Sequence, residues 1–418
     1  NMSLDKIEES LRKELNYAKD VGALWIRPHL TAAFNKGNIE EGDSYNWTIP
    51  DLFIGTMQEY NMQILIQFWN SPAATKPYVV LEIDDSYLKW LKAMVERYDG
   101  DGIDDMPGLK YPVLYYEVLN EPIQSNPEEE AEKYAYILKE SYKAIKEANP
   151  NAKVLIGGLL QADRDLELLL ENGCKDYFDI INWHQSDVES VKSIKEKFGI
   201  DKPMWITEFW DDQILNKYQS GENITLEDEK EQAKWLAEKF SRLFAKGVDK
   251  IFHVEILGHI KSPREKNRHD PIEQEGACLY CEPEGQPRLA YYTYKLLAWK
   301  IGQFESARVV YVDGKEVYEF VQDGKKYYVV PAMEETIKLP VNCSEVKVID
   351  LIPINKDGEF KIYRIEAQSG YVEIGPTDDP LLVEVNETEE AIKSFHELEK
   401  SHFSRVGDVK NATWVRFW

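Results

Sequence analysis

From residue 3 to residue 302 the chain alternates amphipathic helical segments with short apolar runs, and that alternation leaves few folds open. Leu4, Ile7, Leu11, Leu15 and Ala18 recur at helical spacing through residues 3–20, with charges between them. Apolar runs follow at 23–27, 63–68, 112–118, 153–156, 178–181, 204–207 and 250–254. Helical stretches at 51–60, 86–98, 128–147, 164–172, 188–197 and 226–246 separate them, and another covers 288–300. Short strands joined through helices must lie parallel. So many units in this span predict a closed (β/α)8 TIM barrel rather than an open sheet. In such a barrel every strand ends at the same face, so residues at strand ends meet in one place.

The pattern changes after residue 302. Asp313-Gly314, Asp323-Gly324 and Asp357-Gly358 are hairpin turn signals between short alternating strands. The α/β chain is therefore divided into a catalytic barrel at 1–302, a small antiparallel β-sandwich domain at 303–386 and a helix-strand tail at 387–418. The barrel is one strand short. Residues 388–400 read as a helix, and Asn411-Ala412-Thr413-Trp414-Val415-Arg416 echoes Gly22-Ala23-Leu24-Trp25-Ile26-Arg27. Circular permutation would let the tail supply the missing strand and bring Phe417 and Trp418 to the mouth. Two other placements stay open: a truncated first strand with the tail packed elsewhere, or a tail strand reaching a partner subunit. A homo-oligomer is thus left open.

Composition narrows the partners. A net charge of −25 argues against nucleic acid or an anionic membrane as partner and suits a neutral or cationic substrate. There is no run of 18 apolar residues for a membrane span. The chain shows no secretory leader, which points to the cytoplasm; Asn1 ahead of Met2 reads as a cloning scar and leaves a removed leader open. Abundant Glu and Lys fit a thermostable protein. Four cysteines make no disulfide framework, and Cys278 and Cys281 read as a local disulfide or two thiols rather than a metal site.

Two apolar segments end on a glutamate: Tyr116-Glu117-Val118-Leu119-Asn120-Glu121-Pro122 and Trp205-Ile206-Thr207-Glu208-Phe209-Trp210. Glycosidic bond cleavage needs two carboxyl groups from different strand ends, one protonated for the leaving oxygen and one ionised. Asn-Glu-Pro after a fourth strand and Thr-Glu after a seventh resemble the retaining glycoside hydrolases of clan A, closest in style to families 39 and 5. The resemblance covers residues 20–300.

It implies that Glu121 is the acid/base, its pKa held up by burial and by the second carboxylate. It implies that Glu208 is the nucleophile, about 5–5.5 Å away for retention. Asn120 matches the asparagine that binds the sugar 2-hydroxyl. Arg27 matches the arginine that keeps the nucleophile ionised; otherwise it needs another carboxylate partner. His29 is placed to bind a sugar hydroxyl or to cap its strand. His184, closing Asn182-Trp183-His184, is expected near the nucleophile. Trp69 and Trp210 end strands and read as sugar-stacking or core residues. The family's tryptophan at the eighth strand end is missing, and Glu255 or His259 stands near that place.

No cofactor and no metal are expected for the reaction. The acidic loop Asp99-Gly100-Asp101-Gly102-Ile103-Asp104-Asp105 resembles calcium loops but reads as a capped turn. The function expected is a retaining β-glycoside hydrolase acting on a carbohydrate. The alternatives are a non-catalytic carbohydrate-binding barrel and a metal-dependent barrel hydrolase, though neither H-x-H nor H-E-x-x-H occurs.

Overall fold

The structure is a computed structural model. It describes residues 3–29, 32–41, 44–69, 81–184, 187–258, 277–281, 285–385 and 411–416, with the backbone alone for 29, 32, 38 and 411–416. The expected helix at 388–400, and His259, Phe417 and Trp418, lie outside the described residues.

Seven strands of one parallel sheet come from the first part of the chain: β1 (Trp25–His29), β2 (Gln63–Phe68), β3 (Tyr115–Val118), β4 (Lys153–Ile156), β5 (Ile181–His184), β6 (Met204–Phe209) and β7 (Lys250–His253). An eighth, β8, is Asn411–Arg416. The order is β4-β3-β2-β1-β8-β7-β6-β5. β8 lies between β1, where Ile26 pairs with Thr413 and His29 with Arg416, and β7, where Ile251 pairs with Asn411. The two outer strands are bridged to each other in parallel, Leu155 with Ile180 and Leu159 with Trp183.

If β8 is integral to this sheet, deleting residues 404–418 strips one neighbour from both β1 and β7. The expected result is loss of the cooperative thermal transition by circular dichroism. An unchanged melting temperature would show that the sheet does without it.

Alternation along the strands builds the layer under the site. Trp25, Leu65, Leu155, Trp205 and Phe252 form one apolar cluster, with Tyr115 packed on it. The Trp25 and Trp205 rings meet edge to face at 5.2 Å, and Tyr115 stacks on Trp205 at 5.3 Å. The buried Lys250 ammonium sits 4.1 Å from the Trp25 ring centre, a cation–π contact that lets a charge share an aromatic layer. The alternate residues Ile26, Ile64, Ile66 and Phe68 join the larger core that packs the helices, as Phe68 does against Trp90.

Helix bounds follow the expected pattern within a few residues. The strand read at 178–181 instead runs over Ile181–His184. Asp179 takes the Val154 amide on its carboxylate at 2.8 Å, so a side chain replaces a ladder bond there. A further short helix, not expected from the sequence pattern, spans Asp212–Gln219; Asp211 caps it by accepting from the Gln213 amide.

Beyond residue 302, six antiparallel strands form a sheet in the order 306–312, 315–322, 325–330, 381–385, 345–350, 362–366. One face joins the main core through Phe304, Phe320, Val329, Ile349 and Leu382. The other is covered by the pair Ile337–Pro340 and Tyr371–Ile374. Lys356 on Glu229, at 2.6 Å, and the Thr293 hydroxyl on the Leu351 carbonyl, at 2.7 Å, fix this sheet to the helices. Among the described residues no helix is long and apolar enough to cross a membrane.

Candidate active site

Glu121 and Glu208 arrive at one place by different local means. Glu208 is the fifth residue of β6, inside a strand buried throughout, where the register to β5 and β7 shifts. Glu121 follows β3 on a strained turn. Leu119 and Glu121 both have left-handed backbones, with φ of 65° and 45°. Each such residue costs on the order of 1–3 kcal/mol, which the surrounding packing must hold.

An oxygen of Glu121, a ring nitrogen of His184 and an oxygen of Glu208 lie within 4.8 Å of one another. His184 Nδ1 is 2.9 Å from Glu121 Oε1 and 3.8 Å from Glu208 Oε2, while Nε2 is 3.2 Å from the Thr207 hydroxyl. Both ring nitrogens thus face groups able to accept, as an imidazolium requires. Burial works against that charge, but Glu208 and Glu121 outweigh it and hold the His184 pKa above the usual histidine value.

Arg27 supports the other side. It donates to Glu208 at 3.0 Å, to both oxygens of Glu117 at 2.7 and 2.8 Å, and to the Asn120 carbonyl at 2.8 Å. The last bond fixes the Asn120 amide with its carbonyl inward. Burial raises the Glu208 pKa, against the pull of the His184 and Arg27 cations. The expectation placed burial on Glu121, but the structure places it on Glu208, 1% exposed, while Glu121 is 22% exposed.

Both shifts have the same sign for stability. A group whose pKa is raised on folding stabilises fully below its unfolded pKa, about 4.3 for glutamate and about 6.5 for histidine, and that stabilisation is lost as pH rises through the folded value. The stabilising share of His184 therefore declines as pH rises past about 6.5. The melting-temperature advantage of wild type over His184→Gln should shrink from about pH 6 to pH 9. An advantage constant with pH would remove His184 as the titrating group.

The other expected residues stand at strand ends. Trp69 follows β2 and is 5% exposed; its amide donates to the Phe34 carbonyl. Trp210 follows β6 and donates its indole N–H to Asp212. Glu255 follows β7, buried, with φ of 54°. His29 ends β1, and its side chain lies outside the described residues. His184 hydrogen-bonds Glu121 and stands 3.8 Å from Glu208, and Arg27 donates to Glu208 from the other side. Asp99, Asp101 and Asp105 accept amides of their own loop, as a capped turn does. Cys278 and Cys281 form a disulfide.

No protein-family model matches the chain, and no curated protein matches it in sequence. Solved structures do match. A family 39 glycoside hydrolase from the gut symbiont Bacteroides cellulosilyticus WH2 has a TM-score of 0.64 at 17% identity, over 90% of this chain and 78% of that one. A glucosidase from Croceicoccus marinus has a TM-score of 0.59 at 14% identity, over 90% and 92%. An α-L-arabinofuranosidase from Thermotoga maritima has 0.57 at 14%, over 90% and 89%. The chain has the fold of these glycoside hydrolases.

Sequence reasoning missed three contributors to the site. In the sequence Glu117 reads as part of an apolar strand, yet it is the second carboxylate on Arg27. The signal was present: an arginine in a buried strand needs a full set of acceptors. Thr207, the partner of His184, reads in the sequence only as half of a Thr-Glu motif. Gly158 was not singled out. A Cβ there would overlap the His184 ring, and one on Gly157 would come within 2.7 Å of the Val118 carbonyl. Two glycines after an apolar strand are the signature of such close approach.

Proposed function

We propose that this protein is a retaining glycoside hydrolase that cleaves β-linked sugars by double displacement. The observation that carries the reading is the meeting of Glu121, His184 and Glu208 oxygens and nitrogen within 4.8 Å. A closest oxygen–oxygen approach within 4.8 Å is compatible with the retaining separation of about 5–5.5 Å between carboxyl groups. Glu208 attacks the anomeric carbon, the glycosidic C–O bond breaks, and Glu121 gives its proton to the leaving oxygen. Glu121 then takes a proton from water, whose oxygen displaces Glu208 and frees the sugar. Arg27 and His184 hold charge beside the nucleophile, and Asn120 faces the sugar 2-hydroxyl. His29, Trp69, Trp210 and Glu255 are assigned to the surrounding sugar contacts.

The same reading takes the sheet as a closed (β/α)8 barrel over 1–302, permuted so that the tail, 387–418, supplies a strand between β1 and β7, with a β-sandwich at 303–386. The Leu155–Ile180 and Leu159–Trp183 bridges and the β8 pairing support it.

A panel of nitrophenyl β-glycosides and β-linked oligosaccharides tests it, with nitrophenyl α-L-arabinofuranoside included and the first-formed anomer followed by NMR. The first-formed anomer should match the substrate, β from a β-glycoside and α from the α-L-arabinofuranoside; initial inversion would sink the double displacement. The three central side chains are also a set able to hold a metal ion. Turnover that survives a chelator separates the double displacement from metal-assisted hydrolysis.

A further inference from the structure

β2 carries a buried polar group that the proposed chemistry does not use. Gln67 is the fifth residue of β2. Leu65 pairs in register with Tyr115, and Gln67 with Glu117. Residues paired in this way face the same side of a sheet. Leu65 and Tyr115 belong to the aromatic layer below the site. Gln67 therefore lies one layer higher, level with Glu117 and on the side where Glu117 meets Arg27.

At this level the neighbouring polar groups are engaged. Arg27 holds Glu117, Glu208 and Asn120. Asn182 donates to the Ile156 carbonyl and accepts from the Thr207 amide. Gln67 is 1% exposed, and among the described residues neither its amide oxygen nor its amide nitrogen has a hydrogen-bond partner. A buried amide with both ends unpaired weakens a fold, and an apolar side chain of similar shape would serve packing better. Its depth does not remove it from the site, because Glu208 is equally buried.

We propose that Gln67 is a specificity-determining residue of the subsite that holds the sugar over Glu208, pairing with two adjacent hydroxyls of that sugar. This rests on the glycosidase reading above. A primary amide presents an acceptor and a donor side by side, and a vicinal diol, whose hydroxyls both donate and accept, is its complement. A site with a buried amide rejects a sugar lacking the matching hydroxyl far more strongly than an apolar pocket does.

The test compares wild type, Gln67→Leu and Gln67→Met on the preferred nitrophenyl glycoside and its monodeoxy analogues. The variants should lose on the order of 10²-fold or more in kcat/KM on the parent sugar. On the analogue missing the partner hydroxyl they should lose little. Their melting temperatures should equal or exceed the wild type's, because the unpaired amide is gone. Equal losses on the parent and every analogue, or a lower melting temperature in both variants, would overturn the proposal and make Gln67 a structural residue. A wild type that hydrolyses no glycoside would instead overturn the functional reading, and this inference with it.

Discussion

Glu208→Gln is expected to lower kcat on every aryl glycoside by on the order of 10⁴-fold or more, since an amide cannot form the glycosyl ester. That loss corresponds to roughly 5 kcal/mol of barrier. The substitution is isosteric, and the Gln oxygen can still accept from Arg27, which keeps both bonds to Glu117. Burial disfavours the charge on Glu208, so a neutral side chain removes that cost. The variant should therefore melt at or above the wild-type temperature near neutral pH. Lost activity with a raised or unchanged melting temperature marks a nucleophile that the fold tolerates. A collapse of the melting temperature would identify Glu208 as a structural partner of Arg27, and retained turnover would remove it from the chemistry.

Glu121→Ala should divide substrates by leaving group. Poor leaving groups need the proton, and their kcat/KM should fall by about 10²–10⁴. Activated nitrophenyl leaving groups do not, and they should lose far less in glycosylation. Equal losses on both would count against the acid role. Backbone strain adds a second readout. Glu121 sits at φ 45°, where alanine is strained and glycine is not. Glu121→Gly should be more stable than Glu121→Ala by about 1 kcal/mol with the same leaving-group dependence. No difference would show that the turn relaxes when the side chain is removed.

The residues of the site differed in how legible they were. Glu121 and Glu208 stood out because each closes an apolar run, where a charged residue has no packing reason to be. Arg27 was legible for the same reason, and its dependence on a carboxylate followed from the cost of a buried cation. Which carboxylates it holds was not legible. Glu117 lies on β3 and Glu208 on β6, and only the folded sheet brings both to one guanidinium. Gln67 carried no signal at all, since a polar residue in a strand reads as solvent-facing until its register with Glu117 is known. The helix at Asp212–Gln219 was missed because two short turns offer too few positions for a helical period to show.

The sequence by itself determined the order of helices and strands, because apolar periodicity records which face of each element is buried. It also determined which residue types close the strands, and so the class of chemistry those ends can perform. The tertiary structure decided the rest: that Asn411–Arg416 lies between β1 and β7, that Glu208 rather than Glu121 is the buried carboxylate, and that His184 lies between the two. These are distances between residues far apart in the chain. They depend on register and on backbone turns such as the left-handed one at Glu121, which no local pattern encodes.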